Sequence, residues 1–386
     1  MPSFLKESKL SSQPKVALVH DDFCQAGGAE SLFATIASLY PDAPIYTSIV
    51  NWYKLPPSID PDRIKTSWMQ KIPLATKFYK ILLPLYPLAF ESFDFSQYDL
   101  VISSTTRFAK AIITKPNTVH ICYVNSLPRF LWDEKAVFSY WPLAFRVLSK
   151  FYINWLKRWD KVAASRVDRY IANSKNVAEK IKKVYARESA VIYPFADTNF
   201  FRPAKIHNWP LKSQNYFLIV SRLVEWKKIE IAIEAALDLG INLKIVGTGP
   251  DEKRLRKIKV KSQKSKVRSK IEFIGRITRG ELRELYQNAK ALIITQEEDF
   301  GIAAIEAQAC GIPLIAYRAG GVSEIVLEGK TGLFYEKQTA ESLKDAISRL
   351  SELKWEVKNA RSNALKFSKH VFVKEFKETI NLYASE

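Results

Sequence analysis

Short runs of apolar, mostly β-branched residues recur along the chain and alternate with stretches of helical periodicity. Such runs are typical of strands buried on both faces of a parallel sheet. They lie at 15–20, 44–50, 99–104, 111–114, 119–124 and 169–174, and again at 216–222, 243–247, 271–275, 291–295 and 313–317. Helices are predicted between them at 29–39, 176–184, 228–239, 281–289, 302–309 and 339–350. The alternation predicts an α/β protein of two doubly wound domains, with ligands at the carboxyl ends of the strands.

The composition changes near the middle of the chain. Of the 13 glycines, Gly27 and Gly28 precede residue 240 and the others lie at or after it. Residues 201–215 are polar and contain prolines, as linkers between domains often do. We therefore expect three parts, with the C-terminal helix packing back on the first domain. They are an N-terminal domain over 1–205, a second domain over 206–370 and a helix over 371–386.

Bulk composition narrows the class of protein and its compartment. The 386 residues are 47% hydrophobic and 26% charged, which excludes a disordered or disulfide-dense chain. Three separated cysteines and four histidines without ligand spacing predict neither disulfides nor a metal site. No secretory signal or spanning segment is recognisable, so we expect a cytoplasmic protein. The net charge of +19 predicts an anionic partner, such as a phosphorylated substrate, an anionic bilayer or nucleic acid.

The most informative motif of the second half is a strand, an acidic loop, a glycine and a helix. Gly301 allows a tight turn, after which three amides point outward from a helix N-terminus, where a diphosphate would bind well. They belong to Ile302, Ala303 and Ala304. Glu298, in the loop, and Glu306, about one turn into the helix, can accept hydrogen bonds from sugar hydroxyls.

Two cations follow the first strand of the second half. Arg222 comes directly after the apolar run and Lys227 lies five residues later in a loop. At the end of a parallel strand they would face the cleft and could clamp a phosphate. Gly247 and Gly249 form a GxG between a strand and a helix, but the rest of a dinucleotide fingerprint is missing, so the indication for NAD is weak.

These motifs resemble the retaining glycosyltransferase family 4 enzymes, which have the GT-B fold of two facing Rossmann-like domains. Glu298 and Glu306 stand in the family's Glu-x7-Glu spacing, and SRLVEWKK is similar to its donor-phosphate segment. The resemblance covers nearly the whole chain. In the first half GGAE, YPDAPIYT, YDLVISS, YVNSLPRFLWD and IANSKNVAEKI are similar to a bacterial branch described as mannosyltransferases that use GDP-mannose.

The resemblance implies catalytic roles for Arg222, Lys227 and Glu298. The two cations would clamp the donor diphosphate and Glu298 would hold the donor sugar. Glu306 would bind the ribose. Further donor contacts are implied for Gly27, Gly28, Asn125, Gly247, Arg276, Ile277, Phe300, Gly301, Ile302 and Ala303.

Asn125 stands where the family has a histidine, and an amide can bind a hydroxyl but cannot titrate. This departure puts the sugar or the rate in question. The resemblance also implies retention of the anomeric configuration. Because preorganised donors stabilise a leaving group by roughly 3 to 4 kcal/mol each, no metal or other cofactor is expected besides the nucleotide-sugar substrate.

A second feature concerns the acceptor. Over residues 146–161, at 100° per residue, Trp155 and Trp159 fall on one face, and Lys150 and Lys157 cluster nearly opposite. A buried aromatic stripe under a solvated basic face accounts for this pattern, and so does an interfacial helix on anionic lipid. Together with the basic aromatic stretch 75–90, the second interpretation predicts a lipid-linked glycan acceptor and a peripheral position on the inner face of the cytoplasmic membrane.

The first hypothesis is therefore transfer of a sugar, mannose from GDP-mannose, to a growing envelope, O-antigen or capsular glycan on a lipid carrier. A UDP-sugar-dependent transferase of the same fold is the alternative. A hydrolysing nucleotide-sugar epimerase shares the architecture and would release nucleotide diphosphate without an acceptor. A basic membrane or nucleic-acid binding protein is a further alternative, but no RNA-binding or helix-turn-helix signature supports nucleic acid as a partner.

Overall fold

The computed structural model describes residues 14–79, 81–133, 146–204, 215–262, 269–352 and 354–385, without the side chains of 146–150, 259–262 and 385. Most of the predicted linker lies outside these ranges. Within them the chain forms two parallel sheets with helices packed against them, as the alternating pattern predicts.

The first sheet contains seven parallel strands in the order β3-β2-β1-β4-β5-β6-β7. Its strand order reverses between β1 and β4, so the carboxyl ends of these strands form the topological switch point where ligands bind in such sheets. The strands are β1 (Val16–His20), β2 (Ile45–Thr47), β3 (Ile64–Thr66), β4 (Leu100–Thr105), β5 (Val119–Val124), β6 (Arg169–Ala172) and β7 (Ala190–Val191).

The second sheet repeats this arrangement with six parallel strands in the order β10-β9-β8-β11-β12-β13. Its switch point lies between β8 and β11. The loops after these two strands carry the cations and the acidic residues that the sequence singles out. The strands are β8 (Tyr216–Val220), β9 (Asn242–Val246), β10 (Ile271–Gly275), β11 (Leu292–Ile294), β12 (Leu314–Tyr317) and β13 (Gly332–Tyr335).

Helices of one to five turns connect the strands. Those of the first domain are α1 (Gly28–Leu39), α2 (Ala75–Phe78), α3 (Tyr86–Glu91), α4 (Arg129–Trp132), α5 (Arg146–Ser165) and α6 (Lys175–Tyr185). Those that follow are α7 (Ile229–Leu239), α8 (Glu252–Ser262), α9 (Arg279–Asn288), α10 (Ile302–Ala309), α11 (Ala340–Arg349), α12 (Val357–Leu365) and α13 (Lys369–Ser385). Side chains fix several helix starts: Thr278 and Glu281 form a capping box at α9, and Ser174 caps α6.

One predicted strand is wrong. Residues 111–114 are not a strand, because Ala109–Ala111 form a short 3-10 turn that the buried carboxylate of Asp21 holds by accepting the amide of Ala109 at 2.7 Å. Conversely, the short strands β3, β7 and β13 were not predicted. Apolar runs of this length do not distinguish a strand from a buried turn by periodicity.

The C-terminal helix α13 crosses back to the first domain. Its residues Phe372, Phe376 and Ile380 are buried in a core cluster with residues of β1, β4 and β5. The Phe372 ring lies edge-on to Tyr123, with centroids 6.1 Å apart. The helix therefore packs against the first sheet although the second domain precedes it in the chain.

Candidate active site

Residues that follow strands of one sheet contact residues that follow strands of the other, so the two carboxyl edges border a common cleft. Arg222, after β8, donates from Nη1 to Oε1 of Gln25 at 2.6 Å. Gly28, at the start of α1, faces Ile302, at the start of α10. A Cβ atom on Gly28 would lie 2.8 Å from Cδ1 of Ile302. The N-termini of two helices, each with partial positive charge, thus converge at one point of the cleft.

Lys227 and Glu298 form an ion pair in this cleft. Nζ of Lys227 donates to Oε1 of Glu298, which also accepts from Nε2 of Gln296. The Lys227 side chain is 10% exposed. Burial lowers the pKa of Lys227, while Glu298 opposes this shift. Because an unpaired buried ammonium is costly, Lys227 needs an anion beside it, and a phosphate is one that could replace Glu298.

Close backbone packing positions the loop that carries Arg222 and Lys227. Gly247 has a φ of +126°, and a Cβ atom there would lie 1.9 Å from the carbonyl oxygen of Ser221. Only glycine fits such an approach. On the other side, Oγ1 of Thr295 donates to the carbonyl oxygen of Lys227 at 2.6 Å. Gly247 therefore acts on the cleft through this loop, and its GxG spacing has a packing explanation.

Helix α10 begins beside the ion pair. Gly301, its N-terminal cap, has a φ of +109°, which turns the chain sharply after the acidic loop. The first amides of a helix have no acceptor within it, and those of Ile302 and Ala303 occupy these positions. The expectation of a third free amide is wrong, because Ala304 donates to the carbonyl oxygen of Gly301 at 2.9 Å.

Glu306 lies one turn into α10 and accepts a hydrogen bond from a tyrosine. The hydroxyl of the fully buried Tyr286 donates to its Oε2 at 3.0 Å. Burial raises the pKa of Glu306 to about 7, while Tyr286 and Arg279 act in the opposite direction. Since Tyr286 engages Oε2, the Oε1 atom is the one that can accept a hydroxyl from a ligand.

A cluster that the sequence analysis missed joins the two domains beside the ion pair. Nη2 of Arg129 and Nζ of Lys180 donate to Oδ2 and Oδ1 of Asp299, at 2.7 and 3.0 Å. Burial would raise the pKa of Asp299, but the two cations lower it to about 2. We call these three residues the interdomain clamp. Sequence spacing gave no signal for it, since Arg129 and Asp299 are 170 residues apart.

The N-terminus of α6 forms a second interdomain contact. Oγ of Ser174 donates to the carbonyl oxygen of Asp299 at 2.6 Å. The carboxylate of Glu324, from the second domain, accepts the amides of Lys175 and Asn176 at 2.9 and 3.0 Å. An anion is favourable at this end of a helix, so Glu324 completes α6 across the domain boundary.

On the first-domain side, the predicted glycine loop and Asn125 both lie at the carboxyl edge of the sheet. Gly27 is the N-cap of α1 and provides no side-chain cap. Nδ2 of Asn125, directly after β5, donates to Oγ of Ser104 at 3.0 Å, and its backbone oxygen accepts from Nδ2 of Asn173 at 2.7 Å. Asn125 therefore connects the ends of three neighbouring strands.

The remaining predicted donor residues differ in position. Phe300 is 3% exposed, and its ring packs against Tyr193 and Phe367, so the structure brings its side chain into the core and not into the cleft. Arg276, directly after β10, is exposed. Ile277 packs against the core of the second domain.

Helix α5 combines the two interpretations of its pattern. Trp159 packs inward and donates from Nε1 to Oε1 of Glu91 at 3.0 Å. In contrast, Trp155 is 52% and Phe151 76% exposed, so the aromatic face is not a wholly buried stripe. Nζ of Lys157 lies 5.5 Å from the Trp132 ring centroid. The side chain of Lys150 lies outside the described residues.

No group of three histidine, cysteine or acidic side chains in the described residues could hold a metal ion. No helix in that part of the chain is long and apolar enough to cross a membrane.

Sequence comparisons divide the chain at the same place as its two sheets. Residues 26–200 match the family described as Glycosyltransferase Family 4, and residues 202–367 match the family described as Glycosyl transferases group 1. An uncharacterized glycosyltransferase of Methanocaldococcus jannaschii, MJ1178, is 30% identical over 54% of this chain and 57% of its own length. The chain thus spans about half the length of the curated relatives it matches.

Solved structures show the same architecture along almost the entire chain. Sucrose-phosphate synthase from Thermosynechococcus elongatus superposes with a TM-score of 0.72 at 19% identity, covering 97% of this chain and all of that one. Anabaena Alr3699/HepE, solved with UDP and glucose, gives a TM-score of 0.66 at 19% identity over 96% of this chain and all of its own. The predicted GT-B fold of two Rossmann-like domains is confirmed.

Proposed function

We propose that the chain, whose first and second domains each match a glycosyltransferase family, is a group 1 glycosyltransferase that transfers a hexose from a nucleotide-sugar donor to a glycan acceptor. The observation that carries this proposal is the buried Lys227–Glu298 pair beside the N-terminus of α10. A cation that needs an anion lies here beside a carboxylate and two free helix amides from the neighbouring loop, and this set suits a diphosphate joined to a polyhydroxylated ring.

In the proposed reaction Lys227 exchanges Glu298 for the donor phosphate, and Arg222 and the amides of Ile302 and Ala303 bind the other oxygens. Glu298 is then free to accept donor-sugar hydroxyls, and Oε1 of Glu306 accepts a ribose hydroxyl. The bond between the sugar carbon C1 and the phosphate oxygen breaks, and its electron pair stays on the leaving diphosphate. Each preorganised donor stabilises that charge by roughly 3 to 4 kcal/mol.

The acceptor hydroxyl oxygen attacks C1 from the face that the diphosphate leaves, so the anomeric configuration is retained. Its proton passes to the leaving phosphate oxygen, which balances the step without a protein base. The α1 and α10 N-termini meet at Gly28 and Ile302, and closure there would exclude water that could otherwise hydrolyse the donor. We propose that the reaction requires neither a metal ion nor a further cofactor.

For the donor we propose GDP-mannose, which rests on the resemblance of the first-domain motifs. A UDP-hexose is the second candidate, favoured by the UDP and glucose in the structurally similar Anabaena protein. Direct binding measurements with GDP and UDP distinguish the two candidates.

We further propose a lipid-linked glycan as the acceptor and a peripheral position on the inner face of the cytoplasmic membrane. Support comes from exposed apolar side chains on two segments that cover the same core cluster of the first domain. Helix α5 exposes Phe151 and Trp155. The segment 74–88, which precedes it in the chain, exposes Leu74, Ile81 and Leu88. Apolar side chains beside many basic residues suit an anionic bilayer surface.

The test is calorimetric titration of the purified protein with GDP, UDP, GDP-mannose and UDP-glucose, without added metal. Glu306→Gln should weaken binding, while Glu341→Gln, an exposed acid on α11, serves as the control. Selective GDP binding would support mannosyl transfer, and selective UDP binding would replace mannose by the second candidate. If none of the four binds, the proposed function is wrong. Release of free nucleotide diphosphate that is independent of any acceptor would favour the epimerase.

A further inference from the structure

Arg129 belongs to the first domain, but its guanidinium reaches the second. Nη2 and Nε donate to Oδ2 of Asp299 at 2.7 and 3.2 Å, and Cζ lies 4.1 Å from the ring centroid of Trp226. Asp299 directly follows Glu298, and Trp226 directly precedes Lys227. One side chain thus contacts the chain neighbours of both members of the ion pair.

The arrangement around Trp226 links the charges further. Nζ of Lys227 lies 4.2 Å from the centroid of the same ring. Burial lowers the pKa of Lys227, and Arg129 adds to this effect while Glu298 and Asp299 oppose it. Two cations on one ring repel each other. The positions of Arg129 and Lys227 therefore depend on the carboxylates of Asp299 and Glu298, with which they pair. Arg129 is the cation of this group that contacts both Trp226 and Asp299.

We propose that Arg129 is a positioning residue, which holds the Trp226–Lys227 and Glu298–Asp299 segments in register and so sets the geometry of the Lys227–Glu298 pair. The inference rests on the proposed function. Because the guanidinium comes from the first domain, the correct geometry of a donor site built by the second domain requires both domains in place. Transfer of the sugar therefore requires the two domains to be docked. Binding of the donor does not require it.

Arginine is specific to this role because its planar group can stack on Trp226 while it bonds Asp299. Lys180 provides the matched control. Its Nζ binds Oδ1 of Asp299 at 3.0 Å and Oε1 of Glu297 at 3.1 Å, so it shares the carboxylate of the clamp. Among the described residues, the cations over the Trp226 ring are Arg129 and Lys227, and Lys180 is not one of them. Lys180→Ala therefore weakens the anchor of Asp299 and leaves the stacking intact.

The first experiment compares Arg129→Ala, Arg129→Lys and Lys180→Ala in the full chain, with the donor that the binding panel selects. Misplacing reacting groups by about 1 Å costs about 100-fold, so we expect kcat of Arg129→Ala to fall by about that factor. We expect its Kd for the nucleoside diphosphate to stay within about threefold of wild type. Arg129→Lys should recover only a small part of the rate. Lys180→Ala should keep both quantities within about threefold.

Equal losses in Arg129→Ala and Lys180→Ala would overturn the proposal, since Asp299 anchoring alone would then account for them. A donor affinity that falls as far as kcat would also overturn it. Thermal melts identify a variant that fails to fold. In that case Arg129→Lys, which keeps a cation beside Asp299, replaces it in every comparison.

A second measurement does not depend on turnover. In amide hydrogen exchange of the free protein, Arg129→Ala should speed exchange in peptides covering 224–228 and 296–300, whereas Lys180→Ala should affect the second peptide alone. Unchanged exchange over 224–228 would overturn the proposal even if the enzyme were impaired. If wild type binds no nucleotide yet Arg129→Ala shows this exchange pattern, the proposed function fails and the positioning role of Arg129 stands.

Discussion

The two walls of the cleft use their charged residues differently. On the second-domain wall, Lys227 and Glu298 point into the cleft and pair with each other. On the first-domain wall the acids turn inward: both oxygens of Asp21 accept backbone amides of residues 106–109, and Asp22 accepts from Arg107 and the Tyr86 hydroxyl. One wall thus carries preorganised charge, and the other uses its charge to shape loops.

The second-domain wall therefore acts through its charges, and the first-domain wall through the space it leaves for the other domain. In the proposed reaction the second-domain wall stabilises the leaving diphosphate, because its dipoles and cations are already oriented. The first-domain wall presents the bare N-terminus of α1, where Gly28 lets the two helix ends approach. Substitutions should therefore act mainly on charge stabilisation in one wall and on closure in the other.

Lys227→Ala should have the largest effect. Removing the cation leaves Glu298 with Gln296 and deprives the leaving group of its buried partner. We expect turnover to fall by at least about 100-fold, as for other preorganised donors. The control is Lys228→Ala, since the neighbouring ammonium lies 3.8 Å from Glu230 on α7 and not beside Glu298. Near-normal turnover of Lys227→Ala in a steady-state assay would show that the second-domain wall does not work through this charge.

Gly28→Val tests the role of the first-domain wall in closure. The added side chain would overlap with Ile302, because even a Cβ atom lies 2.8 Å from Cδ1. We expect kcat/KM to fall by about tenfold, since closure would stop short. The double variant Gly28→Val with Ile302→Ala removes the obstacle and should recover much of the loss. A double variant that is worse than both single ones would mean that the two helix ends act independently, contrary to the proposed closure.

Glu306→Gln should change pH dependence more than activity. Its folded pKa of about 7 lies above the ordinary 4.5, so the unfolded state releases the proton first. The contribution of Glu306 to stability is present below pH 4.5 and is lost as the pH rises to 7, by at most about 3 kcal/mol. Urea unfolding at pH 5 and pH 8 should show a smaller difference for Glu306→Gln than for wild type.

The same titration should appear in binding. An ionised Glu306 is the better acceptor for ribose hydroxyls, so wild-type affinity for a nucleoside diphosphate should rise severalfold between pH 6 and pH 8. Ionisation of the nucleotide itself is common to both proteins, and the comparison with Glu306→Gln removes it. Identical pH profiles for the two proteins would exclude Glu306 from the ribose site.

The second-domain wall was easier to predict than the first for a physical reason. Arg222, Lys227, Glu298 and Glu306 lie in two short segments whose spacing determines which side chains follow a strand or share a helix turn. The clamp at Asp299 could not be predicted in this way, because Arg129 approaches it through tertiary packing. Ala304 was misjudged because the tight turn at Gly301 brings a carbonyl oxygen within reach of its amide.

The proposed membrane contact of α5 offers the smallest expected effect and extends the comparison to the outer surface of the first domain. Phe151→Ser and Trp155→Ser remove exposed apolar groups from α5, so they should leave the fold intact and lower binding to phosphatidylglycerol vesicles by about fivefold together. Trp52→Ser is a matched control, because Trp52 is as exposed as Trp155, at 52%, but lies after β2. Vesicle sedimentation at two salt concentrations separates apolar insertion from charge attraction. Equal losses in the control and the α5 variants would mean that α5 is not the membrane-facing element.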